Sequence, residues 1–159
     1  EMRAADRHTG CSVHAVKQGE HPTEVLRPYT QLFAAAQMSN VIVGHNIIRF
    51  DNNMFLCNID RCFHATFDFD PWRVIDTAAL VKAMQLGVLP FKGEPPGDFC
   101  WRILKHHKAK GVFFSLDKYC VPTFKLASRY NLNSARMHTA GYDAMITHLL
   151  LYELLNGDY

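Results

Sequence analysis

The sequence has no long apolar run and almost no excess of charge of either sign. Its longest apolar stretch, residues 149–155, is interrupted by Glu153, and a membrane-spanning helix needs about 20 apolar residues. The 17 basic residues outnumber the 15 acidic ones by two, which is too few to attract nucleic acid through a global field. We therefore expect no membrane contact, and any contact with nucleic acid must come from a local site.

Cysteine pairs of the type that bind zinc are also missing. The five cysteines include no C-x-x-C pair, and their number is odd, which does not fit a disulfide framework. We interpret them as reduced thiols that pack as small apolar side chains in an intracellular protein, although the sequence does not indicate which compartment. A zinc site that uses some of the nine histidines is the alternative.

The chain does not open with a basic segment followed by an apolar one, so no secretion signal is expected in it. Its first residue is Glu1 rather than Met, and we expect that a preceding part of the protein is not included. With 159 residues, 48% of them apolar, the chain has the size of one domain with one sizeable core. No internal repeat is evident, so residues 1–159 are interpreted as a single, partial domain.

Short apolar runs alternate with segments of helical periodicity, which predicts an α/β layer architecture. Residues 41–43 and 74–75 are predicted as neighbouring parallel strands. Helices are predicted from about residues 23, 52, 76, 115 and 139, and the last of them extends to about residue 155. Residues 87–114 are rich in proline and glycine, and we interpret them as an irregular insertion with a short helix near residues 101–108.

Two segments combine carboxylates with histidines. Gly44–Asp51, with the sequence G-H-N-I-I-R-F-D, directly follows the first predicted strand, and His138–Asp143, with the sequence H-T-A-G-Y-D, opens the last helix. The first lies at the carboxyl end of a strand, where open α/β sheets bind their ligands. Carboxylates there could hold Mg²⁺ or Mn²⁺, and a histidine could accept a proton from water. These residue types suit metal-assisted hydrolysis of phosphodiesters, in which two ions lie about 4 Å apart.

The pattern H-N-x-x-x-F-D followed by H-T-A-x-x-D-A resembles the DEDDh-type, DnaQ-like 3′–5′ exonucleases. The spacing from His45 to Asp51 is most similar to that of the three-prime repair exonucleases. Ile75–Leu80 resembles the family's D-T-x-x-L step, and Ser115–Tyr119 resembles its S-L-x-x-L helix. The resemblance spans residues 23–153 and implies a ribonuclease H-like fold.

The resemblance also implies roles for individual residues. Asp51 and Asp143 would be metal ligands for Mg²⁺ or Mn²⁺, with two ions in an intact site, and His138 would be the general base. The partner would be the 3′ end of single-stranded DNA or RNA. The proposed substrate-binding residues are Asn46, His45 and Arg49.

The family's first motif, D-x-E, is absent from the chain. The segment Asp6–Gly10 is weakly similar to this motif, but it has His8 in place of Glu. Its Asp6 lies only 45 residues before Asp51. We therefore expect the chain to lack the family's first strands. Either the motif lies upstream of Glu1, or the protein is an inactive, exonuclease-like subunit that binds nucleic acid or serves as a scaffold in a larger assembly, such as a ribonucleoprotein. An unrelated α/β protein is the third alternative.

Each of these residues also has a purely structural interpretation. Asp51 could cap the helix that follows it, and Asp143 could complement the dipole of the last helix. His138 could be an ordinary loop residue, and Asn46 could simply form a turn. For the basic run 105–110 and for the large aromatics we favour the structural interpretation, as a solvated helix end and as core or loop anchors. The aromatics in question are Phe69, Trp72 and Trp101.

The exonuclease interpretation makes a geometric prediction. Asp51, His138 and Asp143 should converge in one cleft, and the two carboxylates should lie within about 12 Å of each other if they share a two-ion site.

Overall fold

The structure is a computed structural model that describes residues 19–107 and 114–157. Two predicted features lie outside the described residues: the segment Asp6–Gly10 and the basic residues Lys108 and Lys110. The described part is a mixed α/β fold that is mostly helical and contains a small parallel sheet.

The sheet consists of two strands, β1 (Ile42–Gly44) and β2 (Val74–Asp76), which pair in parallel. In their register Ile42 is opposite Val74, and Gly44 is opposite Asp76. This confirms the prediction of two neighbouring parallel strands. Helix α2 (Asp51–Phe63) lies between them in the chain, as a parallel connection requires.

Four long helices besides α2 account for most of the remaining chain. They are α1 (Pro22–Ser39), α3 (Thr77–Leu86), α4 (Pro96–His106) and α7 (Ala140–Asn156). Between α4 and α7 lie a π-helical turn (Leu116–Cys120), two short helices, α5 (Val121–Thr123) and α6 (Leu126–Arg129), and a 3₁₀ turn (Ser134–Arg136). A further 3₁₀ turn (Pro71–Arg73) precedes β2. No described helix is both long and apolar enough to cross a membrane.

Helix α4 begins five residues earlier than the sequence predicts. Pro96 occupies its first turn, where the missing N–H of proline costs no hydrogen bond. The helix buries Phe99, Cys100, Ile103 and Leu104. The least regular part of the sequence therefore contributes a helix to the core.

The core consists of two main clusters on either side of α3. One joins Val81 of α3 to the π-helical turn and to α7 through Cys120, Ile146 and Leu150. The other joins Ala79 and further residues of α3 to the buried face of α4. Burial raises the pKa of the Cys100 and Cys120 thiols to about 12, which confirms that these two pack as small apolar side chains. Cys57, in contrast, is exposed.

Two of the three aromatic residues that were interpreted as core or loop anchors do not lie in the core. The exposed fractions of Trp72 and Trp101 are 56% and 48%. Phe69 does pack inside, against Phe55, Phe67 and the small cluster around β1.

Candidate functional site

The loop after β1 is held by one buried carboxylate, that of Asp76 at the end of β2. Asp76 accepts hydrogen bonds from the backbone N–H groups of Asn46 (2.9 Å) and Ile48 (3.1 Å). It also accepts from Ala78 (3.0 Å) and Ala79 (3.3 Å), which makes it the N-cap of α3. The same side chain thus fixes both the segment that carries the H-N motif and the start of the next helix.

The environment of Asp76 acts on its ionisation in two opposing directions. The side chain is fully buried, and this burial raises the pKa of Asp76, while the backbone N–H donors and His45 oppose the rise. The sequence contained Asp76 within the D-T-x-x-L step, but nothing in that pattern indicated that its carboxylate would bind the preceding loop.

The loop itself has a tight geometry. Asn46 has a positive φ of 61°, a conformation that asparagine tolerates better than most residues, so its interpretation as a turn former agrees with the backbone. A Cβ atom on Gly44 would lie 2.5 Å from Cβ of Ile47. Glycine is therefore needed where the strand ends, because the loop folds back over it.

The ring of His45 is directed into the protein and not toward solvent. Its Nε2 donates to the Phe114 carbonyl oxygen (2.5 Å), and its Nδ1 lies 2.9 Å from the Thr77 hydroxyl. Because a carbonyl can only accept, Nδ1 of the neutral ring accepts from Thr77. Burial lowers the pKa of His45, although the Phe114 carbonyl and the negative charges of Asp76, Asp117 and Asp143 act in the opposite direction.

His138 and Asp143 lie together at the start of α7. His138 has a positive φ of 65°, and its backbone N–H donates to Oδ1 of Asp143 (3.1 Å). The carboxylate of Asp143 therefore stabilises the unusual backbone conformation of His138. The side chain of His138 remains 57% exposed, so its ring is accessible to water.

A third residue, Asp117, faces the ring of His138. Its Oδ2 lies 3.5 Å from Nε2 of His138, and its Oδ1 accepts from the Ser115 hydroxyl (2.5 Å). Partial burial favours a higher pKa for Asp117, but the bonds from Ser115 and the Lys118 backbone and the charge of His138 lower it below its usual value. The sequence indicated Asp117 only as an acidic residue in a first helical turn, because its proximity to His138 depends on how two distant segments pack.

Asp51 lies in the first turn of α2, and its side chain is exposed. It is not the N-cap, because that position is Phe50, which makes no capping hydrogen bond. Partial burial and the charge of Asp76 raise the pKa of Asp51, and a bond from its own backbone N–H opposes this. In the part of the chain that the structure describes, no hydrogen bond or ion pair joins Asp51 to His138 or Asp143. Convergence of all three residues stays a prediction.

The remaining predicted residue, Arg49, lies on the loop between β1 and α2. Its side chain is exposed, and its carbonyl oxygen accepts from the Asn53 amide (2.9 Å). Asp76 and His45 thus form a hydrogen-bonded inner layer beneath the loop that carries Arg49, and Asp117 and His138 face each other near the start of α7.

Carboxylates are suitable ligands for Mg²⁺ or Mn²⁺. Across residues 19–107 and 114–157, however, no group of three or more His, Cys, Asp or Glu side chains could hold a metal ion. The described residues alone do not fit the two-ion site that the resemblance implies, so that site would need ligands beyond them.

Comparison of the chain with family models, curated proteins and solved structures found no match. Membership of the exonuclease family stays a prediction that rests on the motifs. The function must therefore be argued from the residues around His138 and His45.

Proposed function

We propose that this chain forms the histidine-containing part of a DEDDh-type 3′–5′ exonuclease with a ribonuclease H-like fold. The observation that carries the proposal is the meeting of the two motif segments. Helix α7, whose first turn contains Asp143, packs against β1, the strand directly before His45, and the negative charges of Asp117 and Asp143 oppose the lowering of the His45 pKa by burial. His45 and Asp143 are about 100 positions apart in the sequence. We infer that they lie in the same region, at the carboxyl end of β1.

In this proposal His138 is the general base. A water molecule attacks the phosphorus of the terminal phosphodiester, and its proton passes to the His138 ring. The bond from phosphorus to the 3′ oxygen of the preceding nucleotide breaks, and that oxygen takes up a proton from solvent water to become the new 3′ hydroxyl. Asp117 stabilises the positive charge that the ring acquires, since its carboxylate faces Nε2. Asp143 holds the backbone of His138. The residues Asn46 and Arg49 would contact the 3′-terminal nucleotide, and His45 would support the loop that carries them.

The proposal requires further carboxylates, because the grouped residues do not provide a metal site by themselves. The D-x-E motif of the family would supply them from a part of the protein outside this chain. Mg²⁺ or Mn²⁺ bound there would neutralise charge on the phosphate.

The test is cleavage of single-stranded DNA and RNA by the full-length protein, with Mg²⁺, with Mn²⁺ and with chelator. We expect stepwise shortening from the 3′ end that stops in chelator. His138→Ala should lower the rate by about 10²- to 10⁴-fold, the usual contribution of a positioned general base, and Asp143→Ala should nearly abolish turnover. His148→Ala is the matched control, because His148 is an exposed residue of the same helix and its loss should leave the rate unchanged.

Two results would contradict this assignment. Strong Mg²⁺-dependent cleavage by residues 1–159 alone would show that the metal ligands are assigned to the wrong residues. A full-length protein that binds nucleic acid or a protein partner but does not cleave would instead favour the inactive subunit of a larger assembly.

A further inference from the structure

A groove runs between the exposed face of α4 and the loop after β1. Its volume is about 450 Å³, and it is lined by residues of the loop, of α2 and of α4: Ile48, Arg49, Asn53, Trp101, Leu104 and Lys105. None of these residues contacts His138 through a hydrogen bond or ion pair in the described part of the chain.

The groove combines positive charge with an exposed aromatic ring. Arg49 and Lys105 line it, and no acidic residue does. The Lys105 ammonium lies 4.2 Å from the centre of the Trp101 indole ring, and Trp101 is half-exposed although it is one of the largest apolar side chains of the protein. Because about half of the Trp101 side chain remains in contact with water, its burial contributes only part of the hydrophobic stabilisation that a tryptophan can provide. Packing alone therefore does not account for its position.

A second hollow of about 370 Å³ continues the groove and shares Ile48 and Trp101 with it. This hollow is mainly apolar and also contains Asn52 and the carboxylate of Asp98. Asp98 therefore lines the hollow, whereas Arg49 and Lys105 line the groove.

We propose that the groove binds a single-stranded nucleic acid, with a base stacked on Trp101 and phosphates bound by Arg49 and Lys105. Aromatic rings and cations are the two features with which proteins bind unpaired strands. A duplex would not fit this chemistry, because its bases are already stacked on each other. The long, flexible stem of Lys105 allows its ammonium to leave the ring and bind the phosphate when the base arrives.

The inference rests on the proposed function only in its choice of a nucleic-acid strand over other polyanions. It does not require hydrolysis, because it assigns none of its residues to the chemical step. Binding can therefore be measured in chelator, where no cleavage occurs.

The experiment is fluorescence anisotropy of labelled single-stranded DNA and RNA oligonucleotides, titrated with the protein in chelator at several salt concentrations. Trp101→Leu should weaken binding by about 5- to 150-fold without changing the salt dependence, because it removes stacking but no charge. Trp101→Phe should weaken binding less, because it retains a ring. Arg49→Gln and Lys105→Gln should each weaken binding and lower the slope of log K against log salt by about 0.7.

Lys92→Gln is the matched control. Lys92 is exposed on the connection between α3 and α4 and does not line the groove, so its loss should change neither affinity nor salt slope beyond the effect of one distant charge.

Three outcomes would overturn the inference: no binding by the unchanged protein at low salt, equal affinity of the Trp101→Leu and Lys92→Gln variants, or equally strong competition by a duplex or by polyglutamate. The last result would indicate a general anion surface or an acidic protein partner. If the groove variants lose binding but the full-length protein never cleaves, the proposed function fails and the groove stands. If the full-length protein cleaves and the groove variants bind normally, the proposed function stands and the inference about the groove fails.

Discussion

At the scale of single residues, Asp76 shows how one buried carboxylate can organise two segments. It accepts four backbone N–H groups, two from the loop after β1 and two from the start of α3. A carboxylate without partners would be very costly at full burial, and here the partners are the donors that the loop and the helix start would otherwise leave unpaired. The positions of Asn46 and Ile48 thus depend on a residue that is 30 and 28 positions away from them, respectively.

We predict that Asp76→Ala lowers the free energy of unfolding by about 2–5 kcal/mol, because it leaves four donors without an acceptor. Asp76→Asn should cost less, since the amide oxygen can still accept from Asn46, Ala78 and Ala79. The measurement is the urea unfolding curve of each variant.

Asp60→Ala serves as the control for this prediction. Asp60 is an exposed residue of α2, and its replacement should change stability by no more than about 0.5 kcal/mol. A loss for Asp76→Ala as small as that of the control would show that the loop is held by other contacts.

At the scale of elements, helix α4 packs closely on the turn that precedes β2. The first turn of α4 contains Gly97, and a Cβ atom at this position would lie 2.8 Å from the carbonyl oxygen of Pro71 and 3.0 Å from its Cα atom. Those are backbone atoms, which cannot move aside as the end of a flexible side chain can. The absence of a side chain at Gly97 therefore determines how closely α4 approaches the sheet.

We predict opposite effects of the same substitution at two helical glycines. Gly97→Ala should destabilise the protein by about 1–3 kcal/mol because the backbone of Pro71 must shift. Gly141→Ala, in the first turn of α7, should stabilise it by up to about 1 kcal/mol, because nothing lies within 4 Å of the new methyl group and alanine favours the helix.

Thermal unfolding of the two variants checks this prediction directly. An increase in melting temperature for both would mean that α4 has room to move away from the 3₁₀ turn without loss of stability.

At the scale of the whole molecule, His45 connects parts that are far apart in the sequence. Its ring joins the loop after β1 to Thr77 of α3 and to Phe114 just before the π-helical turn. Phe114 in turn packs against the cluster between α3 and α7. Protonation of this buried ring would therefore act on contacts that hold the whole fold together.

The pKa of His45 predicts how stability depends on pH. Burial lowers this pKa in the folded protein, whereas the unfolded chain binds a proton with the ordinary pKa of about 6.5. Below about pH 6.5 the unfolded state thus binds more protons, and stability falls as the pH falls toward the folded pKa, by at most about 1.4 kcal/mol per pH unit.

The measurement is urea unfolding of the unchanged protein and of His45→Gln between about pH 7.5 and 5.5. The unchanged protein should lose more stability over this range than His45→Gln, whereas His148→Gln, at an exposed site, should retain the original slope. Comparing the three proteins at the same pH removes the contributions of other titrating groups to stability. Asp76 is one such group, because its raised pKa makes its contribution to stability fall as the pH rises, opposite to that of His45. If the free energy of unfolding depended on pH equally in all three proteins, the assignment of this pH dependence to His45 would be refuted.

Local patterns in the sequence determined most of the elements. The β-branched run before Gly44 predicted β1, and the register with β2 confirmed that the two strands are neighbours and parallel. A helix was predicted to start at about Ser115, and the Ser115 hydroxyl does accept from the Lys118 backbone N–H at the start of the π-helical turn. These features depend on nearby residues, whose spacing and side-chain chemistry are visible in the sequence itself.

The start of α4 and the exposure of Trp101 were not predictable in this way. The sequence P-P-G was interpreted as irregular, but tertiary contact with Pro71 makes Gly97 suitable inside a helix. Trp101 was expected to be an anchor because large aromatics are usually buried, whereas the packing of α4 directs it toward the groove with Arg49 and Lys105.

The sequence by itself determined the candidate residues: two carboxylates, two histidines and their order along the chain. The tertiary structure decided which of them meet. It placed Asp143 under the backbone of His138, brought Asp117 to its ring and buried Asp76 beneath the H-N loop. The contact between His138 and Asp143 is local, because the two residues are five positions apart. The contacts of Asp117 and Asp76 join segments whose relative position depends on how α3, α7 and the strands pack, and packing is a property of the whole chain that no local spacing encodes.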